Sequence, residues 1–246
     1  MTSLAKQSPT TVAAIQTCGL GKVFGEGRQR VIALDDVSIE LCSGQMTLLM
    51  GPSGSGKSSM IAALGGLQAP DTGQVIALGE DLWSRSSRKI TRFRRDHCGF
   101  VFQSGGLFPA LGARDQIALP LTFLGWSAAE AKRAACEALD WVGLADRQDS
   151  RPSEMSGGQN QRIAIARMLA KKPTLIFCDE PTSALDGKNG ANIAELLKQA
   201  AARHNAMILC VTHDERLVPH ADRILHIEDG RITSDSEEDK PYAANR

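Results

Sequence analysis

Residues 51–58 run Gly51-Pro52-Ser53-Gly54-Ser55-Gly56-Lys57-Ser58, the pattern G-x-x-x-x-G-K-[ST]. Its glycines let the backbone curl until successive N–H groups point at one phosphate. Lys57 supplies a mobile positive charge for the outer phosphates, and the Ser58 hydroxyl is a candidate Mg²⁺ ligand. Upstream, Met46–Met50 is a short apolar run suited to a buried strand. Downstream, 58–64 reads as a helix ended by Gly65-Gly66, and its N-terminal dipole would aim at the same phosphates. A Gly/Ser-rich turn would account for the glycines but not for Lys57-Ser58 set between a strand and a helix. The stretch, with Ser59 after it, is read as a site for a nucleoside triphosphate.

Length and composition bound what surrounds that site. The 246 residues suit one large domain or a core with an embedded subdomain, and 42% are hydrophobic, enough for a sizeable core. Twenty-eight basic and 28 acidic residues cancel, so no whole-domain field draws in nucleic acid, and no nucleic-acid partner is expected. The run 85–95 holds six Arg or Lys residues and a single Phe, which reads as a solvated helix face. No apolar run approaches the ~20 residues of a membrane-spanning helix. Residues 1–10 lack the apolar centre of a secretory signal, so the chain is expected in the cytoplasm. The cysteines Cys18, Cys42, Cys98, Cys136, Cys178 and Cys210 form no C-x-x-C pair, which argues against a zinc site and for reduced thiols. Cys178, next to Asp179, reads as core.

Along the chain, 1–10 reads as a loose tail, and Val37, Ile39 and Leu41 alternate with polar partners as in a half-buried strand. Ser43-Gly44 turns into the apolar run before the phosphate loop, and 73–78 reads as a strand of an antiparallel layer. A helix is expected over 127–144. Ser127 and Glu130 form a capping box there, and Ala131, Ala134, Ala135, Ala138 and Val142 line one face. Ile193, Leu196, Leu197 and Ala200 mark a second amphipathic helix. Strands are expected at 175–178, 207–211 and 224–227, with helical stretches between, the pattern of a mainly parallel α/β sheet. Glu228-Asp229-Gly230 turns into one more short segment, and residues from Ser234 onward are expected to fray.

Two further motifs give these elements a chemistry. Leu175-Ile176-Phe177-Cys178 ends in Asp179-Glu180, two carboxylates at the carboxyl edge of a buried strand, where α/β sheets place ligands. One can hold Mg²⁺ through water, and its neighbour can orient and polarise an attacking water. In Met155-Ser156-Gly157-Gly158-Gln159-Asn160-Gln161-Arg162, Ser156 can cap a helix while Gly157 and Gly158 leave backbone N–H groups open to an anion.

With this last stretch the chain resembles the ATP-binding cassette family, whose signature is [L/M]-S-G-G-Q; the resemblance covers about 15–235. It implies an α/β fold: a P-loop NTPase (RecA-like) core with an antiparallel β subdomain and an inserted α-helical subdomain. The boundaries expected within the single domain 1–246 are about 11–104 and 163–235 for the core with its β layer. The helical subdomain with the signature would be about 105–162, and 236–246 a loose tail. The resemblance also assigns roles. Gly51 to Ser59 would bind ATP, with Phe24 stacking on adenine where relatives carry Tyr; simple burial of Phe24 is the alternative. Gln103, in Phe100-Val101-Phe102-Gln103, matches the Q-loop glutamine, a contact of Mg²⁺ and of the attacking water. Asp179 would serve Mg²⁺ with Ser58, while Glu180 would be the catalytic carboxylate and His213 the switch histidine at the γ-phosphate. Ser156, Gly157, Gly158, Gln159 and Asp186, the last in the D-loop Ser183-Ala184-Leu185-Asp186, would contact ATP held by a second copy.

The implied protein is an ATPase subunit of a bacterial transporter, a homodimer on ATP binding, driving separate membrane permease subunits from the cytoplasmic face of the plasma membrane. Gly65-Gly66-Leu67, Leu119-Pro120-Leu121 and Thr212-His213-Asp214-Glu215-Arg216 look most like the macrolide-exporter and lipoprotein-release class. Within it, His213-Asp214-x-Arg216 and Glu228-Asp229-Gly230 are similar to the heterocyst-type exporters, which work with a periplasmic adaptor. Leu107-Phe108-Pro109 also resembles amino-acid importers, so import stays an alternative. A soluble, non-transport member of the family is a further one, though such members carry paired cassettes, coiled-coil inserts or basic surfaces that this chain lacks.

Overall fold

The computed structural model describes residues 13–103, 105–183 and 185–236. The expected tails before residue 11 and after 236, and Ala184 of the D-loop, lie outside the described residues. In chain order the strands are β1 (Ala13–Phe24), β2 (Val31–Val37), β3 (Glu40–Cys42), β4 (Met46–Met50), β5 (Thr72–Ala77), β6 (Glu80–Asp81), β7 (Cys98–Val101), β8 (Leu175–Asp179), β9 (Met207–Val211), β10 (Arg223–Glu228) and β11 (Arg231–Asp235). The helices are α1 (Lys57–Leu64), α2 (Ser87–His97), α3 (Ala113–Phe123), α4 (Ala128–Trp141), α5 (Gly157–Leu169) and α6 (Gly187–His204).

One sheet has the order β11-β10-β4-β9-β8-β7, parallel except for the β10–β11 hairpin. Its central strands β4, β8 and β9 are covered on both faces and therefore appear as largely apolar runs, broken by Thr47 within β4 and ended by Asp179 in β8. On one face Leu49, Phe177 and Leu209 pack on Met60, Ile61 and Leu64 of α1 and on the β layer. On the other, Leu48, Ile176 and Ile208 meet Ile193 and Leu197 of α6 and Ile165 and Met168 of α5. Among the described residues, no helix is long and apolar enough to cross a membrane.

The second sheet, β2-β1-β5-β6 with β3 also paired to β1, is antiparallel. The single strand expected around Val37, Ile39 and Leu41 is divided between β2 and β3. Buried Thr17 bridges the break, its Oγ1 donating to the Val37 carbonyl at 3.0 Å and accepting the Ile39 N–H at 2.9 Å. Ser234 and Asp235, expected to fray, belong to β11. The Arg223 guanidinium grips the Asp235 carboxylate at 2.5 and 2.9 Å, and Ser236 Oγ accepts the Ile224 N–H.

The helical subdomain has a core of its own, in which Ile117 and Leu121 of α3 meet Ala131, Ala135 and Leu139 of α4 and Ile163 and Ala166 of α5. The Ser127–Glu130 capping box forms as expected. The helix stops at Trp141, short of 144, because Gly143 takes φ 70° and turns the chain. Helix α5 runs unbroken across the boundary expected at 162, so one rod contributes to two cores.

Candidate functional site

Strand β4 delivers the phosphate loop, and the loop's shape depends on missing side chains. At Gly56, φ is 105° and a Cβ would sit 2.1 Å from the Ala33 carbonyl oxygen; at Gly51 it would sit 2.1 Å from that of Ile227. Ser55 is buried beneath the loop. The Lys57 ammonium donates to the carbonyls of Gly51 and Pro52 at 2.8 and 2.7 Å. A cleft of about 390 Å³ opens above, lined by Phe24, Ser53, Gly54, Gly56, Lys57, Ser58, Ser59, Gln103, Asp179 and Glu180. Gln103 is exposed just beyond β7. At the cleft's rim Phe24 is 38% exposed rather than buried in the core, with Lys22 Nζ over its ring at 5.6 Å from the centroid.

Parallel pairing of β8 with β9 brings their carboxyl ends together, and with them the acids and the histidine. Ser58 Oγ donates to Asp179 Oδ2 at 3.2 Å. Burial pushes the Asp179 carboxyl above its ordinary value, and the neighbouring Glu180 charge adds to the rise, against the Ser58 hydrogen bond and the Lys57 charge. Glu180 takes φ 50°, a left-handed conformation that costs a non-glycine residue about 1 kcal/mol or more. Its own N–H, bonded to the Val211 carbonyl at 2.9 Å, holds that turn. The carboxylate is thereby aimed at His213, with Nδ1 2.8 Å from Oε1, while Thr212 Oγ1 lies 3.4 Å from Oε2. Glu180 is 16% exposed and His213 72%, so the acid is set back and the imidazole faces outward.

The signature residues lie outside this cleft. Ser156 caps α5 by accepting the Gln159 N–H, and the Gln159 amide oxygen accepts the Ser156 N–H in return. Gly157 is exposed, whereas Gly158 is buried against its own chain, where a Cβ would lie 2.8 Å from Asn189 Cγ. Asn189 belongs to the first turn of α6, whose cap is Asp186, so the two helix starts stand side by side. A second cleft, about 380 Å³, is lined by Gln103, Gly157 and Leu185 and by none of the phosphate-loop residues.

Sequence reading passed over the groups behind Glu180 and His213. Thr182 Oγ1 donates to Asp214 Oδ2 at 2.6 Å, and Asp214 is gripped by Arg216. It also passed over Arg167, whose guanidinium donates to the carbonyls of Gly105 and Gly106 at 2.6 and 2.8 Å, just after Gln103. Only the His-Asp-x-Arg spacing gave a hint of the first group. Nothing local signals the second, because its partners are about sixty positions away.

Residues 34–183 match the model of a family described as ABC transporter. The chain is 40% identical over 221 residues to the lipoprotein-releasing system ATP-binding protein LolD of Syntrophotalea carbinolica, covering 90% of this chain and 97% of that one. It is 39% identical to the macrolide export ATP-binding/permease protein MacB of Burkholderia pseudomallei, again over 90% of this chain, but it spans only 34% of that relative's length. A solved dimer of the ATP-binding cassette MJ0796, in a post-hydrolysis state with ADP and Pi, superposes with a TM-score of 0.82 at 35% identity. That match covers 90% of this chain and 97% of the other.

Proposed function

The chain belongs to the ABC transporter family, and from that premise we propose that it is the ATP-hydrolysing subunit of an export machine, acting as a pair closed around two ATP molecules. The observation that carries the reading is Glu180, held in a costly backbone conformation with its carboxylate 2.8 Å from His213 beside the phosphate-loop cleft. The phosphate loop, the N terminus of α1 and Lys57 hold the phosphates, and Phe24 stacks on the base. Glu180 takes a proton from water as the water oxygen bonds to the γ-phosphorus and the bond to the ADP oxygen breaks. His213 fixes the carboxylate that does so, and Gln103 positions the water.

The donor set fits Mg²⁺. The Ser58 hydroxyl, the Asp179 carboxylate and the Gln103 amide are oxygen ligands of the kind a hard divalent ion takes, and a cation would reverse the upward bias on Asp179. When bound, the ion would draw charge from the phosphate oxygens. Ser156, Gly157, Gly158, Gln159 and Asp186 would meet ATP on the second copy, a reading favoured by the dimeric state of the MJ0796 cassette. The lipoprotein-releasing relative, matched over nearly its whole length, favours a membrane permease on separate chains. The export assignment follows both named relatives, and docking on the permease would put the chain at the cytoplasmic face of the plasma membrane. A periplasmic adaptor as further partner rests on the heterocyst-type resemblance of the His-Asp-x-Arg and Glu-Asp-Gly motifs.

The test is Glu180→Gln. ATP binding persists while turnover drops by a factor of about 10² to 10⁴, the usual worth of a general base. An ATP-bound dimer accumulates, visible by light scattering. Turnover near the native rate removes Glu180 from the role and the reading with it.

A further inference from the structure

In His213-Asp214-Glu215-Arg216, ATP chemistry gives Arg216 no task, yet its guanidinium bonds both to Asp214 and to the Leu185 carbonyl of another loop. Asp214 caps a short 3-10 helix, Glu215–His220, by accepting the Arg216 N–H on Oδ1 at 3.0 Å. The Arg216 guanidinium folds back onto the same carboxylate, Nε to Oδ1 and Nη2 to Oδ2, both at 2.7 Å. Asp214 Oδ2 also accepts from Thr182 Oγ1, and the Asp214 N–H donates to Thr212 Oγ1 at 3.0 Å, the hydroxyl that faces Glu180. The far edge of the guanidinium stands 3.5 Å from the Leu185 carbonyl, through both Nη1 and Nη2. Its plane lies against Gly190 in the first turn of α6, where a Cβ would come within 3.0 Å of Cζ.

We propose that Arg216 is a positioning residue that rivets the loop carrying His213 to the loop running from Glu180 through Leu185 to Asp186. The inference rests on the ATPase reading above and adds to it a part the catalytic groups do not explain. Three direct attachments meet at one planar cation: Asp214, which carries Thr182 and Thr212 in turn; the Leu185 carbonyl; and the backbone of Gly190 at the start of α6. Asp214 is almost enclosed, and the guanidinium holds its carboxyl well below the usual range, at about 2, so the pair stays charged at any physiological pH. If neutralising Asp214 were the whole task, any cation would serve. The flat fork that reaches Leu185 while lying on a glycine is a geometry an ammonium cannot copy. Loss of the rivet lets Glu180 and His213 move relative to the loop that faces the second copy, and a misplacement of ~1 Å is costly to catalysis.

The test uses the full chain and three quantities: steady-state ATPase as a function of ATP, affinity for a fluorescent ATP analogue, and the thermal midpoint. Two variants attack the rivet from opposite sides. Arg216→Lys keeps the charge and loses the fork. Gly190→Ala keeps Arg216 but pushes its guanidinium aside, while alanine favours the helix more than glycine does. Both are expected to lower kcat by roughly tenfold and to leave analogue affinity within about twofold, as expected for an interaction that matters only during turnover. In Gly190→Ala the thermal midpoint should hold or rise, so stability and turnover part company. Native kcat in both variants overturns the proposal. So does a fall of kcat, affinity and midpoint together in both, which would make Arg216 a packing residue. Glu180→Gln, run alongside, separates the two levels. A native chain no faster than Glu180→Gln defeats the ATPase reading and the inference with it, whereas an active native chain matched by both variants defeats the inference alone.

Discussion

Asp214 lies one peptide bond from His213, and the Arg216 hydrogen bonds lower its carboxyl to about 2, against 3.8 for an unperturbed aspartate. A folded-state value below the unfolded one means that the ionised form stabilises the native chain. That contribution is complete above about pH 4 and is lost as the pH falls through 4 towards 2. Asp214→Asn should therefore lower the thermal midpoint at pH 7, with about 1–3 kcal/mol at stake for hydrogen bonds to a charged group. The gap from the native chain should close in acid, below pH ~4. Midpoints measured from pH 7 to pH 3 check this, and a gap independent of pH would assign the loss to packing. Glu180 shows the complementary economy at the same scale. Its left-handed φ is a strain that a glycine would avoid, and the carboxylate is present there all the same.

At the scale of elements, β4, the phosphate loop and α1 were legible because each position in the motif has a local physical requirement. The helix with the Ser127–Glu130 box was legible for the same reason. β1 was not. Gly19 and Gly21 interrupt its apolar pattern, and its pairings shift register between Cys18 and Gly21 and again at Lys22, which resets the two-residue alternation that marks a strand. Helix α3 was hidden by Pro120 in its interior. The capping of α5 by Ser156 was readable, but the burial of Gly158 on Asn189 was not, since the partner lies on another helix. That burial selects the variant for testing the signature. A side chain at 158 would collide within its own chain, whereas Gly157 is exposed. Gly157→Asp should place a carboxylate against the γ-phosphate of the second copy and block closure through like-charge repulsion. In the Glu180→Gln background it should abolish the ATP-induced dimer in light scattering while equilibrium ATP binding survives. Loss of binding with an intact fold would move the signature into the same-chain site.

At the scale of the whole molecule, the helical subdomain leaves large aromatic side chains, Phe108 and Phe123, exposed. Buried Gln116 ties down the loop before α3, its amide donating to the Phe108 and Leu111 carbonyls and accepting the Phe108 N–H. The Phe108 ring is left 54% exposed and Phe123 80% exposed, so neither packs as core. An aromatic anchor of this kind can supply a few kcal/mol of docking energy, about 2–4 for a hot spot. Phe108→Ala is expected to leave basal ATPase of the isolated chain near native and to weaken assembly or remove stimulation in membranes with the proposed permease. Equal loss in the isolated chain would make Phe108 part of the fold. Helix α5 runs from its Ser156 cap to the Arg167 clamp on Gly105 and Gly106. Eleven residues of helix make an arm of about 16 Å, with the clamp as fulcrum. Rocking it by ~10° swings the signature through ~3 Å, a hydrogen bond's length. In the dimer proposed above, a small displacement at the clamped Gly105-Gly106 would then become contact made or broken at the far end of the arm.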